Sequence, residues 1–366
     1  MLRLFEQMLT FLIFIIVIGV LIFIHELGHF WMAKRAGMKV EEFGFGFPPR
    51  IFGIKKGETT YSINWIPFGG FVKILGEDGS GKDNPRSFAS KSTGVRAVVI
   101  VAGVVMNLLL AAALLIIGNG VGLRVGISPD IADRARNLKV QIIQVAENSP
   151  AQMAGLRILD EVKEIAIDGQ NRIIADIAEI QSIIKANKGR EIELKIQRGS
   201  KIEELKVIPR TDPPPDEGAL GISLVMTGVI KYPWHQAVYK GIQDTYFITR
   251  ETALGYGRII GNLFTTGQAG MELSGPIGIA VITGQAARTG FAYLIQLVAL
   301  ISINLAILNI IPFPALDGGR LLFIIIEAVI GRPAPKRVEV AVNAVGFALL
   351  ILLMVFVTTR DIIKFF

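Results

Sequence analysis

Cysteine is absent from the 366 residues, so no disulfide can staple this chain and no thiolate can hold a metal. Histidine is scarce too, at three in all. Any metal centre must therefore be built from His, Asp and Glu. Charged residues are only 19% of the chain against 51% hydrophobic, and the mean hydropathy is +0.52. That balance excludes an ordinary soluble enzyme and points to several membrane crossings. The net charge of +7 is a poor indication of nucleic-acid binding, because the basic residues cluster beside apolar runs. Anchoring to an anionic leaflet of the lipid bilayer explains them better, and no nucleic-acid partner is expected.

What is present are four long apolar runs, at 8–29, 97–117, 291–311 and 340–357. The first carries nothing more polar than Thr10 between Met8 and Ile24. A signal peptide is its competing reading. Yet the run is longer than a usual signal core, only one basic residue (Arg3) precedes it, and no small-residue cleavage site follows. It is read as a retained transmembrane helix. The third run, Phe291 to Ile311, has no charge, and the fourth, Val340 to Val357, is polar only at Asn343. A shorter apolar stretch, Leu321–Ile330, contains Glu327 and is expected to be interfacial or re-entrant.

Basic residues set the orientation. Lys34, Arg35, Lys39, Arg50, Lys55 and others lie between the first two runs, and Arg320, Arg332, Lys336 and Arg337 between the last two. Both loops are expected on the cytoplasmic side, which leaves 118–290 extracytoplasmic.

The first run ends in His25-Glu26-Leu27-Gly28-His29. On a helix, histidines at i and i+4 share one face about a turn apart, so both can reach a single Zn²⁺. Glu26 lies beside them as general base toward the water that such a metal activates. A chance match at a polar helix end is the bland alternative, but ionisable residues in a membrane segment are costly and default to function. A catalytic zinc takes three protein ligands and an open position. The third is expected to be Asp317, in Asn309-Ile-Ile-Pro-Phe-Pro-Ala-Leu-Asp317-Gly-Gly319. The first and third runs cross in the same direction, so their C-terminal ends share a face. Asp317 could instead cap a helix over 321–330, and Glu327 is its one nearby rival as ligand. Zinc, one carboxylate, one hydroxide and two neutral imidazoles sum to zero charge, the cheapest state to bury.

Between the first two runs, Glu42–Pro49 and Thr59–Leu75 interleave aromatic and β-branched residues with Gly and Pro. They read as short, bent strands that form an interface-embedded hairpin, with a small packed cap over the enzyme as a compatible alternative. Leu138–Arg210 is mixed in charge and reads as a compact α+β module, with turns at Asp168-Gly169 and Gly199-Ser200, closed by Pro213-Pro214-Pro215. Tyr232–Leu263 reads as an amphipathic surface helix, and its His235 as an interfacial residue.

Together, the HELGH pentapeptide, the Gly/aromatic loop, Ser274-Gly-Pro-Ile-Gly-Ile279 and Asn309…Leu316-Asp-Gly-Gly319 resemble the site-2 protease family. The resemblance covers nearly the whole chain and is nearest to the bacterial regulator of sigma-E protease group. It implies a zinc metalloendopeptidase of the bacterial inner membrane that cuts within single-span substrates, such as anti-sigma factors or signal-peptide remnants, after an upstream site-1 protease. It makes 138–210 a single PDZ-like domain. The expected fold is a polytopic α-helical membrane protein of about four transmembrane helices, with a membrane-associated β-hairpin or sheet loop at 31–96 and an inserted extracytoplasmic α+β PDZ-like domain. The expected divisions are 1–30, 31–96, 97–117, 138–210, a linker with interfacial helices at 211–290, 291–320 and 340–357. Two departures stand out. Gly103-Val-Val-Met-Asn107 lacks the usual proline after its glycine, and Leu159 stands where a glycine is usual before Asp160.

A substrate helix hides its peptide bonds, so a protease acting there must unwind it. An opened strand can add to an edge of the Gly/aromatic hairpin, with Gly70 and Phe71 as substrate-binding positions and Asn309 hydrogen-bonding to it. Asn309 can equally serve as glue between helices. Two other functions compete: an inactive scaffold binding peptides through the PDZ-like domain, and a metal-gated transporter. Intact Glu26 speaks against the first, and the lack of paired broken helices against the second.

Overall fold

The computed structural model describes residues 2–365 except 129–130, 168, 175, 200, 215–216 and 267–274. Asp168, Ser200, Pro215 and Ser274 of the motifs above thus lie outside the described residues. The chain begins with α1 (Leu2–Arg35), β1 (Val40–Lys56), β2 (Thr59–Ile74) and α2 (Thr93–Val121). Next come β3 (Leu123–Gly126), β4 (Arg136–Val145), α3 (Pro150–Met153), β5 (Glu161–Ile167) and β6 (Gln170–Ile173). After them follow α4 (Ile177–Ala186), β7 (Ile192–Arg198), β8 (Lys201–Val207) and β9 (Ile222–Ile230). Last are α5 (Trp234–Thr266), α6 (Pro276–Thr289), α7 (Phe291–Ile310), α8 (Asp317–Ile330) and α9 (Lys336–Phe365).

Among the described residues, four helices, over Met8–Arg35, Thr93–Val121, Phe291–Ile310 and Lys336–Ile363, are long and apolar enough to cross a membrane. Leu352 and Phe356 of α9 are 69% and 59% exposed. Such a row of bare apolar side chains suits lipid, not water. The protein is a polytopic membrane protein carrying a β-sheet module. It divides into two compact units: Met1–Ile116 with Tyr239–Gly284 and Gln296–Phe366, and Ile117–Val238 with Gln285–Ile295.

In the first unit, β1 and β2 are long, not the short strands read from the sequence. Register shifts let them bend instead. Residues 42–45 of β1 face Thr60–Ile63 on one side and Gly70–Lys73 on the other, while Phe52–Lys56 pair with Ile63–Thr59. The row Gly70–Ile74 pairs only with β1 among the described residues, which leaves its other edge open. Near α1 the hairpin is packed: Phe43 meets Phe23 and Phe30 with ring centroids 5.4 and 5.2 Å apart. Its far end exposes Phe47, Ile51, Phe52, Ile63, Trp65 and Ile66. A water-facing cap would bury that surface; an interface-embedded hairpin need not.

The second unit is a seven-stranded sheet in the order β3-β9-β4-β5-β7-β8, with β6 on β5. Ile142, Ile165, Ile180, Leu194 and Ile196 fill its core, with α4 contributing Ile180. The sheet does not stop at 138 and 210. β9 lies between β3 and β4, so two strands outside that range belong to the same sheet. The sequence missed them because β9 follows the Pro-rich stretch, which reads as a module's end. Leu159 takes a positive φ of 72°, the backbone that a glycine would adopt freely. Its neighbour Asp160, 1% exposed, is gripped by Arg198 at 2.7 and 2.8 Å.

Candidate metal centre and active site

α1 carries His25 and His29 one turn apart on one face, with ring centroids 4.8 Å apart and planes at 84°. The polypeptide between α7 and α8 brings Asp317 to them across 292 residues of sequence. Asp317 Oδ2 is 2.9 Å from His25 Nε2 and 3.1 Å from His29 Nε2, and the two Nε2 atoms are 3.1 Å apart. Asp317 is the first residue of α8 and follows the capping position, held by Leu316, so its carboxylate does not serve as the cap. Glu327 is not a rival ligand either: it meets Arg96 of α2 at 2.7 Å.

Small residues allow this convergence. A Cβ on Gly103 of α2 would lie 2.6 Å from His29 Nε2 and 2.7 Å from His25 Cε1, so both rings occupy the space of a missing side chain. On Gly318 it would lie 2.1 Å from the Ile311 carbonyl oxygen, which explains why the chain turns so tightly after Asp317. Neither glycine's contact partner could be read from the sequence, because each depends on how the helices cross.

His29 Nδ1 lies 2.9 Å from the Val99 carbonyl oxygen. A carbonyl only accepts, so Nδ1 donates to it, and Nε2 is the ring atom turned toward Asp317. Beside the cluster is a cavity of about 220 Å³ lined by His25, Glu26, Asn107, Asn309, Leu316 and Asp317 among others. Glu26 and Asn309 thus share one space. Gly70 also approaches it: a Cβ there would sit 3.3 Å from Glu26 Cγ and 3.5 Å from Ile22 Cγ2. Phe71, next on the same row, packs its ring over Gly44 instead. His235, the remaining histidine, is exposed and lies outside the cluster.

The profile of peptidase family M50, the site-2 protease family, matches residues 13–353. The chain belongs to this family. It is 34% identical to the zinc metalloprotease RasP of Geobacillus kaustophilus over 99% of both chains. Similarity to RasP of Oceanobacillus iheyensis is also 34%, over 98% of this chain and all of that one. To the regulator of sigma-W protease RasP of Bacillus subtilis it is 30%, over 98% and 99%. The protein is accordingly a membrane-embedded zinc metalloprotease, and its chemistry requires a catalytic zinc.

The residues present fit that ion. His25, His29 and Asp317 each offer one ligand atom, all within 4.8 Å of one another. Two imidazole Nε2 atoms and a carboxylate oxygen meet within 3.1 Å of one another. That is the donor set of a catalytic zinc, which takes three protein ligands and keeps one position open.

Proposed function

We propose that this chain is an intramembrane endopeptidase in which His25, His29 and Asp317 hold the catalytic zinc and Glu26 is the general base. One observation carries the reading: three ligand atoms of suitable type converge beside a cavity that Glu26 also lines. Zinc bound there supplies Lewis-acid activation of a water and of the scissile carbonyl. Glu26, as general base, would accept a proton from the attacking water and return it to the leaving amide nitrogen. Asn309, across the cavity, donates a hydrogen bond to the opened peptide.

Substrate enters as an extended strand. Gly70 lies beside Glu26, and strand addition at the free edge of the Gly70–Ile74 row would replace the helix hydrogen bonds that the substrate loses. Gly70 and Phe71 are the substrate-binding positions of that row. Single-span membrane proteins are the substrate class, anti-sigma factors and signal-peptide remnants among them, after a first cut by a site-1 protease. The name of the Bacillus subtilis relative supports the anti-sigma assignment.

By the distribution of Lys and Arg, the catalytic end faces the cytoplasm across a bacterial inner membrane, and the sheet module is extracytoplasmic. That module is read as PDZ-like and as spanning β3 to β9. A groove of about 560 Å³ between α4 and β9, lined by Ile184, Lys185, Leu220, Ile222 and Leu224 among others, supports a peptide-binding role. The Leu159 departure lies outside that lining.

The test is zinc content and cleavage measured together. Glu26→Gln should keep stoichiometric zinc and lose hydrolysis, whereas His25→Ala, His29→Ala and Asp317→Ala should lose both. Full zinc and full activity in Asp317→Ala would refute the ligand assignment.

A further inference from the structure

We propose that Asn107 is a positioning residue for the metal centre, its side-chain carbonyl accepting the Nδ1–H of His25. The proposal rests on the reading of His25, His29 and Asp317 as zinc ligands. A ring that binds metal through Nε2 carries its proton on Nδ1, and that proton needs an acceptor. For His29 the acceptor is the Val99 carbonyl. For His25 the neighbouring group is the Asn107 amide, whose Nδ2 stands 3.3 Å from His25 Nδ1.

In that orientation, two donors face each other once Nδ1 is protonated. Asn107 is also fully buried in an apolar helix, and its Oδ1 has no hydrogen-bond partner. Buried amide oxygens are rarely left unpaired, least of all in a membrane, where no water can take their place. Rotating the amide by half a turn exchanges its oxygen and nitrogen with almost no change of shape. The oxygen then takes the His25 proton, and both conflicts disappear together.

The helix is built for this. Val99, Gly103 and Asn107 stand at i, i+4 and i+8 on α2, a stripe along one face. Val99 orients one ring, Asn107 the other, and Gly103 makes room for both. Ser302 of α7 holds the stripe's far end by donating to the Asn107 main-chain oxygen at 2.8 Å. His29 is oriented by the backbone, which no side-chain substitution removes. His25 depends on a side chain.

The experiment compares zinc affinity, by competition with a chromophoric chelator, in full-length protein and its N107L, N107D, S302A and H25A variants. Leucine suits an apolar helix better than aspartate, so a packing role predicts that N107L binds zinc at least as well as N107D. The acceptor role predicts the reverse: N107L weakened by roughly 10–100-fold and N107D near the wild type. S302A, which loosens the same turn without touching the ring, should keep wild-type affinity. If N107D does not fold, N107L and S302A still decide. Wild-type affinity in N107L, or an equal loss in S302A, overturns the proposal. Stoichiometric zinc in H25A would instead sink the ligand reading, and this proposal with it.

Discussion

Arg96, in the first turn of α2, and Glu327, near the C-terminal end of α8, form a 2.7 Å ion pair with side chains only 12% and 21% exposed. The pair ties α2 to the helix that begins with Asp317. It also explains why a carboxylate in an apolar stretch is not part of the metal cluster. The Arg96 guanidinium sits over the Phe88 ring as well, 6.0 Å from its centroid, and its Nε has no hydrogen-bond partner. Glu327 is therefore the one anion holding that cation in place among the contacts described.

Glu327→Gln should accordingly destabilise the protein without removing metal. Breaking one side of a buried pair strands the other charge, at a cost of about 3–5 kcal/mol. The expected outcome is a lower unfolding midpoint in detergent, with zinc still stoichiometric when the protein is folded. Loss of zinc at unchanged stability would return Glu327 to the ligand set.

Gly103→Ala tests the missing side chain. One added methyl would lie within 2.6–2.8 Å of both imidazoles, and packed helices yield little to such an overlap. Zinc affinity should fall by at least about tenfold, since displacing the rings of metal-binding histidines through their neighbours typically costs about 10–100-fold. Gly94→Ala, on the same helix with nothing within 4 Å, is the control and should leave affinity unchanged.

The meeting of His25 and His29 is legible in the sequence, because the i, i+4 histidine pair obeys helix geometry alone. Asp317 follows from the parity of the membrane crossings. Val99, Gly103 and Asn107 do not, because their meaning arises only where α2 crosses α1. The hairpin was recognisable by composition, yet its doubled pairing depends on bends at register shifts, which leave no periodic trace. β9 was missed for a related reason: its neighbour β4 lies some eighty residues away in sequence, and the Pro-rich stretch between them mimics a boundary.

Gly70→Leu addresses the strand edge. A branched side chain there would fill the space between the hairpin and Glu26, where a Cβ alone already comes within 3.3 Å of the Glu26 side chain. Zinc binding should survive, because Gly70 touches no ligand. Cleavage of a membrane substrate should drop at least about tenfold, the range in which misplaced substrate costs rate. Undiminished cleavage would remove Gly70 from the substrate path.

The last prediction concerns the sheet module, proposed here to filter substrates and not to catalyse. The cavity beside Glu26 is lined by residues of the first compact unit, whereas the sheet belongs to the second. The limits of its removal matter. A deletion of 138–210 takes away most of β4 and all of β5 to β8 but leaves β3 and β9, whose unpaired edges invite aggregation. That variant should express poorly whatever the module does. A deletion of 122–231, closed with a flexible linker, removes the sheet whole. It should bind zinc, cut a short pre-trimmed substrate at close to the normal rate, and newly accept substrates with intact outer domains. If it folds and binds zinc but cuts nothing, the module must support the active site directly, and the filter idea fails.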